Sequence, residues 1–230
     1  MIKYLSRNNF KKSISENIER IYHFSVAEYY DPNNINFGKL RVFNDEIIKK
    51  GGGFDFHTHR NIEIITYILK GKLTYKDSLN NYLDLTAGMV QHVSAGKGIV
   101  QREMNLEEED LKLIQIWILP DKRNLEPTHS IYDASKINLN SFFKVAANTD
   151  APLIINQDVN IYLLKLEPNK KTSFKMNEDR QGYLVQIEGE AIINTIHMQE
   201  KDALEIYEED LNIKAISFSN IILIEMKKER

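Results

Sequence analysis

The chain contains no cysteine among its 230 residues. That excludes disulfides, thiolate catalysis and cysteine-ligated zinc, and it suits a reducing compartment. No charge of one sign dominates, since the formal net charge is −3. There is therefore no electrostatic case for direct nucleic-acid binding. The terminal run Lys227-Lys228-Glu229-Arg230 is too short and too mixed in sign to serve as a basic patch. No apolar run approaches the length of a membrane-spanning helix. The start, Met1 to Arg7, lacks the apolar core of a signal peptide. A cytoplasmic location without membrane contact is expected. Gly-x-Ser-x-Gly, phosphate-loop and zinc-protease motifs are missing too. What remains is an ordinary globular composition, 42% hydrophobic and 27% charged. The length allows one large domain or two small ones.

Short β-branched and aromatic runs, broken by Gly and Asn turns, fill most of the chain. Ile21 to Val26, Lys39 to Ile48, Glu63 to Leu69, Leu73 to Asp77, Tyr82 to Leu85, Met89 to Val93 and Leu113 to Leu119 all read as strands. Pro120 stops the last of these. Strands at this spacing predict an all-β sandwich or barrel. Helix is expected only in small pieces, such as Leu106 to Asp110 or near the N-terminus. Residues 121–138, holding Pro127 and little periodic pattern, read as a connector. Beyond it the strand pattern resumes to the end.

The stretch Gly51 to Met104 carries the chemistry. His57 and His59 stand two residues apart, and so do Gln101 and Glu103. On a strand, residues i and i+2 share a face. Each pair can therefore aim into one cavity. Two histidines and a carboxylate form the ligand set of a mononuclear non-haem iron or related divalent-metal site.

The second half reads as a degenerate copy of the first. Placing Phe56 on Phe174 also places Gly71 on Gly189, Tyr67 on Val185, Leu69 on Ile187 and Leu73 on Ala191. Apolar positions fall on apolar positions, as expected for one strand-turn-strand unit used twice. His57 falls on Lys175 and His59 on Asn177. A single metal site then belongs to the N-terminal half. The expected domains are 1–133, with the site, and 134–230, without ligands.

From His23 to Pro120 the chain resembles the pirin family of two-domain cupins. The resemblance rests on an ordered set of segments. They include His23-Phe24-Ser25, Tyr29-Tyr30-Asp31-Pro32, Leu40 to Glu46, Gly51-Gly52-Gly53-Phe54 and His57-Thr58-His59-Arg60 with Glu63. Thr66 to Gly71, Ser94 to Gly98, Glu103-Met104 and Leu113 to Pro120 complete it. The resemblance implies two cupin (double-stranded β-helix, jelly-roll) barrels in tandem with few short helices. It implies one metal, usually iron, held by three histidines and one glutamate. The first two histidines fall on His57 and His59, the glutamate on Glu103 and the third histidine on Gln101. Thr58 replaces the family's usual proline, which a strand accepts. Gln101 is neutral and harder than imidazole, so a weaker hold on iron or another divalent metal is implied.

The same resemblance implies an oxygenase like the quercetin 2,3-dioxygenases, acting on a flavonol or similar enol, with Glu103, or a water held by Gln101, as proton acceptor. The alternative is a metal-poor regulatory protein that acts through protein contacts. His92 is open to two assignments, an inward replacement for the missing imidazole or a partly exposed strand histidine. Arg60 and Glu63 read as a salt bridge at the barrel mouth. His23 reads as structural. His129 in the connector and His197 have no partner in sequence.

Overall fold

The structure is a computed structural model that describes residues 1–228. Glu229 and Arg230, the end of the mixed-charge terminal run, lie outside the described residues. The first strands are β1 (Ile2–Leu5), β2 (Lys11–Ile14), β3 (Ile18–Tyr22), β4 (Leu40–Ile48), β5 (Gly53–His59) and β6 (Glu63–Lys70). Then come β7 (Lys72–Asp77), β8 (Tyr82–Thr86), β9 (Met89–Ser94), β10 (Ile99–Met104), β11 (Leu111–Ile118) and β12 (Thr128–Asp133). The second half holds β13 (Phe143–Ala147), β14 (Leu153–Ile154), β15 (Val159–Leu166), β16 (Lys171–Phe174) and β17 (Arg180–Glu188). It ends with β18 (Ala191–Ile193), β19 (Ile196–Met198), β20 (Ala203–Tyr207), β21 (Leu211–Ala215) and β22 (Ser219–Lys227). The fold is all-β. Among the described residues the one helical piece is a 3-10 turn, Arg7–Asn9, capped by the Ser6 side chain.

The chain divides into two compact units, one of Lys11–Ser135 with Ile155–Gln157, the other of Met1–Phe10, Lys136–Ile154 and Asp158–Arg230. Each is built from a seven-stranded and a four-stranded sheet. In the first unit the larger sheet runs β12-β9-β6-β11-β4-β3-β2 and the smaller β5-β10-β7-β8. Ile48, Ile68, Leu111 and Leu113 of the larger sheet pack against Leu73 and Leu85 of the smaller. Each is essentially fully buried, which stabilises by about 1.5–3 kcal/mol per side chain, an upper bound.

The second unit repeats the plan, with sheets β1-β20-β17-β22-β15-β13-β14 and β16-β21-β18-β19. Taken in chain order, β4 to β11 and β15 to β22 occupy the same places in their sheets. The aligned glycines behave alike. Gly71 after β6 has φ +80° and Gly189 after β17 has φ +76°. At each, a Cβ would press on the carbonyl oxygen just before the unit's last long strand, Asp110 for Gly71 and Phe218 for Gly189. Only glycine tolerates both conditions.

Three features differ from the sequence expectation. Leu106–Asp110 is a chain of bends and not a helix; its Lys-paired acidic side chains hold it against β7 and the end of β6 through Lys72–Glu107 (2.5 Å) and Lys70–Glu109 (2.7 Å). The connector contains β12, which pairs with β9 across six residues from Thr128↔Ser94 to Asp133↔Met89. Its edge position, with one face toward water, removes the periodic apolar signal. Finally, Met1–Phe10 groups with the C-terminal unit, because β1 pairs with β20.

Candidate metal centre

Strands β5 and β10 pair antiparallel, with Gln101 opposite His57 and Ile99 opposite His59. Alternation then places His57, His59, Gln101 and Glu103 on one face. The register shifts between Gln101 and Glu103, so Glu103 lies opposite Phe54. The extra residue on β5 is a bulge, which re-aims side chains locally. Gly53 makes this close pairing possible. Its φ is +138°, and a Cβ there would overlap the Glu103 carbonyl oxygen.

Glu103 is 2% exposed, and His57 Nε2 stands 4.0 Å from its Oε2. The other His57 nitrogen, Nδ1, lies 2.7 Å from the Asp55 carbonyl oxygen. That contact makes Nδ1 the protonated nitrogen and leaves the Nε2 lone pair facing Glu103. The His59 ring meets that of His57 edge-on at 4.7 Å, and Trp117 backs His59 at 4.9 Å. Burial, then the neighbouring His57, pushes the His59 pKa down to about 4. His59 is therefore neutral at pH 7. Among the described residues no group of three His, Asp or Glu side chains is placed to hold a metal ion. The structure brings His57 to Glu103 and His59 to His57.

Glu103 is held from both flanks. Gln101 Nε2 donates to its Oε2 at 3.0 Å, and Gln115 Nε2 to its Oε1 at 3.4 Å. Trp117 Nε1 donates to Gln115 Oε1 at 3.0 Å, fixing that carboxamide in turn. Burial, then the charge of Glu46, raises the Glu103 pKa to about 7. Glu46 is itself fully buried on β4, paired with Arg20 at 2.7 Å. Burial also raises the Glu46 pKa, against the opposing pull of Arg20. Among the described residues, Glu46 Oε2 and Asn44 Oδ1 have no hydrogen-bond partner. Arg20 is the cation that acts on both Glu46 and Glu103.

On the other side of Gln101 stands Tyr75. Its hydroxyl is 3.0 Å from Asp77 Oδ2 and 3.4 Å from Gln101 Oε1. The His129 ring stacks on Tyr75 at 5.2 Å, and its Nε2 lies 2.9 Å from Gln91 Nε2. Tyr75, Gln115 and Trp117 carry no motif and looked like ordinary strand formers in sequence. His129 was placed in a connector. The signal that could have found them is the inward alternation of β7, β11 and β12.

His92 is neither of the two things sequence allowed. Its neighbour Gln91 turns toward His129, so His92 faces the opposite side of β9. There it is 1% exposed and lies 2.7 Å from Glu63 Oε2. Glu63 also accepts from Ser94 Oγ at 2.8 Å and Asn156 Nδ2 at 3.3 Å. Burial opposes its ionisation, yet the His92, Ser94 and Asn156 bonds hold its pKa below the usual carboxylate range. Its anchors are thus His92, Ser94 and Asn156, and it is buried away from the barrel mouth. His23 is buried against Phe43, and His197 is exposed beside Glu190 at 3.0 Å.

The family profile described as Pirin matches residues 5–118, and that of the Quercetinase C-terminal cupin domain matches residues 145–226. A pirin-like protein of Caulobacter vibrioides is 36% identical over 209 residues, covering 89% of this chain and 90% of that protein. This chain belongs to the pirin family. A quercetin 2,3-dioxygenase of Escherichia coli K12 is 33% identical over 205 residues, 88% of this pirin and 89% of the enzyme. The crystal structure of the bacterial pirin YhhW of Escherichia coli in complex with nickel(II) superposes with a TM-score of 0.93. It is 30% identical and covers all of both chains. In this pirin, no helix among the described residues is long and apolar enough to cross a membrane.

Proposed function

We propose that this pirin holds one divalent transition metal, iron by the family resemblance, on His57, His59 and Glu103. It would serve an oxygenase reaction of the quercetin 2,3-dioxygenase type on a flavonol or similar enol. The observation that carries this is the approach of His57 Nε2 to Glu103 Oε2. At 4.0 Å the two atoms are too far apart for a hydrogen bond. Two ligands of one ion, each bonded at about 2.0–2.2 Å, stand about 3–3.6 Å apart, so His57 and Glu103 need close by only about 0.5–1 Å to share one. The donor chemistry fits as well, with a neutral His59, an oriented His57 and a buried carboxylate.

When bound, the metal supplies Lewis acidity that lowers the pKa of a chelating enol hydroxyl. The remaining tasks fall to the chain. Glu103, the buried carboxylate of the set, would be the proton acceptor. Phe54, 6.1 Å from His57, and Trp117, 4.9 Å from His59, are the aromatic rings beside the two histidines. A second reading, a metal-poor protein acting through protein contacts, is favoured by the carboxamide of Gln101 where the family has a histidine. No direct nucleic-acid role is proposed.

Elemental analysis of protein made with iron supplied is the deciding experiment, followed by oxygen uptake with quercetin. Near-stoichiometric iron in the native chain, lost in His57→Ala, is the expected result. Iron-free native protein would end the oxygenase proposal and leave the binding-protein reading.

A further inference from the structure

We infer that Gln101 is a hydrogen-bond clamp on Glu103 and not a metal ligand, so that the protein supplies three donors to the ion and not four. This rests on the metal-binding reading above and assigns the departing residue its task. Gln101 is 1% exposed, so its amide must be satisfied inside the barrel. The two ends of the amide meet different partners. The end facing Glu103 is the amide nitrogen, 3.0 Å from Oε2. The carbonyl end faces the Tyr75 hydroxyl at 3.4 Å. A carboxamide ligates through oxygen, and that oxygen is turned toward Tyr75. What Gln101 presents to Glu103 is a donor, and the carboxylate oxygen it grips is the one nearest His57.

The clamp is one of two. Gln115 approaches the opposite oxygen of Glu103 at 3.4 Å and is itself held by Trp117. Two neutral donors, one on each oxygen, hold the carboxylate without replacing the charge a cation would bring. Tyr75 is steadied by Asp77 at 3.0 Å. Tyr75 has one proton for two acceptors, Asp77 Oδ2 at 3.0 Å and Gln101 Oε1 at 3.4 Å, so the contact that fixes Gln101 is its bond to Glu103 at 3.0 Å. A histidine at this position would bring an imidazole lone pair to the ion. Gln101 leaves that coordination position to solvent or to a chelating ligand.

The test uses the full chain, native and as Gln101→Leu, Gln101→His and His57→Ala, titrated with cobalt(II) and followed by its visible ligand-field bands. The clamp predicts that Gln101→Leu keeps the native band positions and intensities while the affinity weakens about 10–100-fold, as for other groups that orient a ligand. It predicts that Gln101→His changes the spectrum and binds more tightly. A changed spectrum in Gln101→Leu, with metal still bound, overturns the clamp and leaves the metal reading standing. Native protein that takes up no cobalt(II) fails the metal reading instead. The metal-free protein gives an independent arm. There, Gln101→Leu should lower the melting temperature in the native background and leave it unchanged in the Glu103→Leu background. Equal shifts in both backgrounds would overturn the clamp whatever the metal does.

Discussion

His23 shows what a single buried titratable group does to the pH response of this chain. Its ring packs 4.7 Å from that of Phe43 and is 2% exposed. Burial pushes its pKa down to about 3. In the unfolded chain it titrates near the usual value of about 6.5. Between those two values the unfolded state holds a proton that the folded state refuses. Stability from this group is therefore complete above about pH 6.5 and falls as the pH drops toward 3. The slope is at most about 1.4 kcal/mol per pH unit. Denaturant unfolding between pH 7 and 4 should show the native chain losing stability more steeply than His23→Gln. Parallel curves would mean that His23 is protonated in the fold. Gly53 is the other residue whose meaning needed the structure. The sequence shows three glycines in a row. It does not show that the third sits where a side chain would strike the backbone of Glu103.

At the scale of elements, the β7–β8 hairpin braces the site from behind. Asp77 ends β7 and gathers the turn. Its Oδ1 accepts from the Leu79 and Asn81 amides at 2.8 and 3.1 Å, and its Oδ2 from Asn81 Nδ2 at 2.8 Å. The same carboxylate holds Tyr75 at 3.0 Å. Asp77→Ala removes four partners at once and leaves a buried hydroxyl to the single long bond with Gln101. A loss of about 1–3 kcal/mol is expected, since the orphaned groups are buried. Amide exchange at Leu79 and Asn81 should quicken selectively, and unchanged exchange there would refute the bracing role.

The hairpin also marks what sequence could and could not tell. Strands β4 to β11 were legible because their apolar residues alternate and Gly or Asn separates them. That His57 shares a face with His59, and Gln101 with Glu103, was legible from i, i+2 spacing; that β5 pairs with β10 was not. The bulge that sets their approach was not, because a register shift leaves no mark on local pattern. Nor was β12, whose edge position mixes Thr128, Ser130 and Asp133 with Ile131 and Tyr132. Tyr75 and Gln115 matter through partners distant in sequence, and no spacing rule reaches them.

At the scale of the whole molecule, the N-terminal residues serve the C-terminal barrel. Strand β1 adds to the edge of the larger sheet there, from Ile2↔Ile206 to Leu5↔Ala203. Ile2 packs on the apolar core of that unit. Asp202 is the anchor, 1% exposed, accepting from the Tyr4 hydroxyl and the Arg7 amide, each at 2.9 Å. Removing residues 1–10 would strip two donors from a buried carboxylate and open the β20 edge to pairing with other chains. Hydrogen exchange should then rise across β20 and β17, with a tendency to aggregate. The divalent-metal uptake proposed for His57, His59 and Glu103 should persist, because β5 and β10 belong to the other unit. Asp202→Ala should reproduce part of the loss, roughly 1–3 kcal/mol. Faster exchange confined to β5 and β10 in the truncated chain would contradict this division of labour. The expected pattern would establish that the first ten residues stabilise the barrel that holds no ligand pair, while the chemistry is carried by the other.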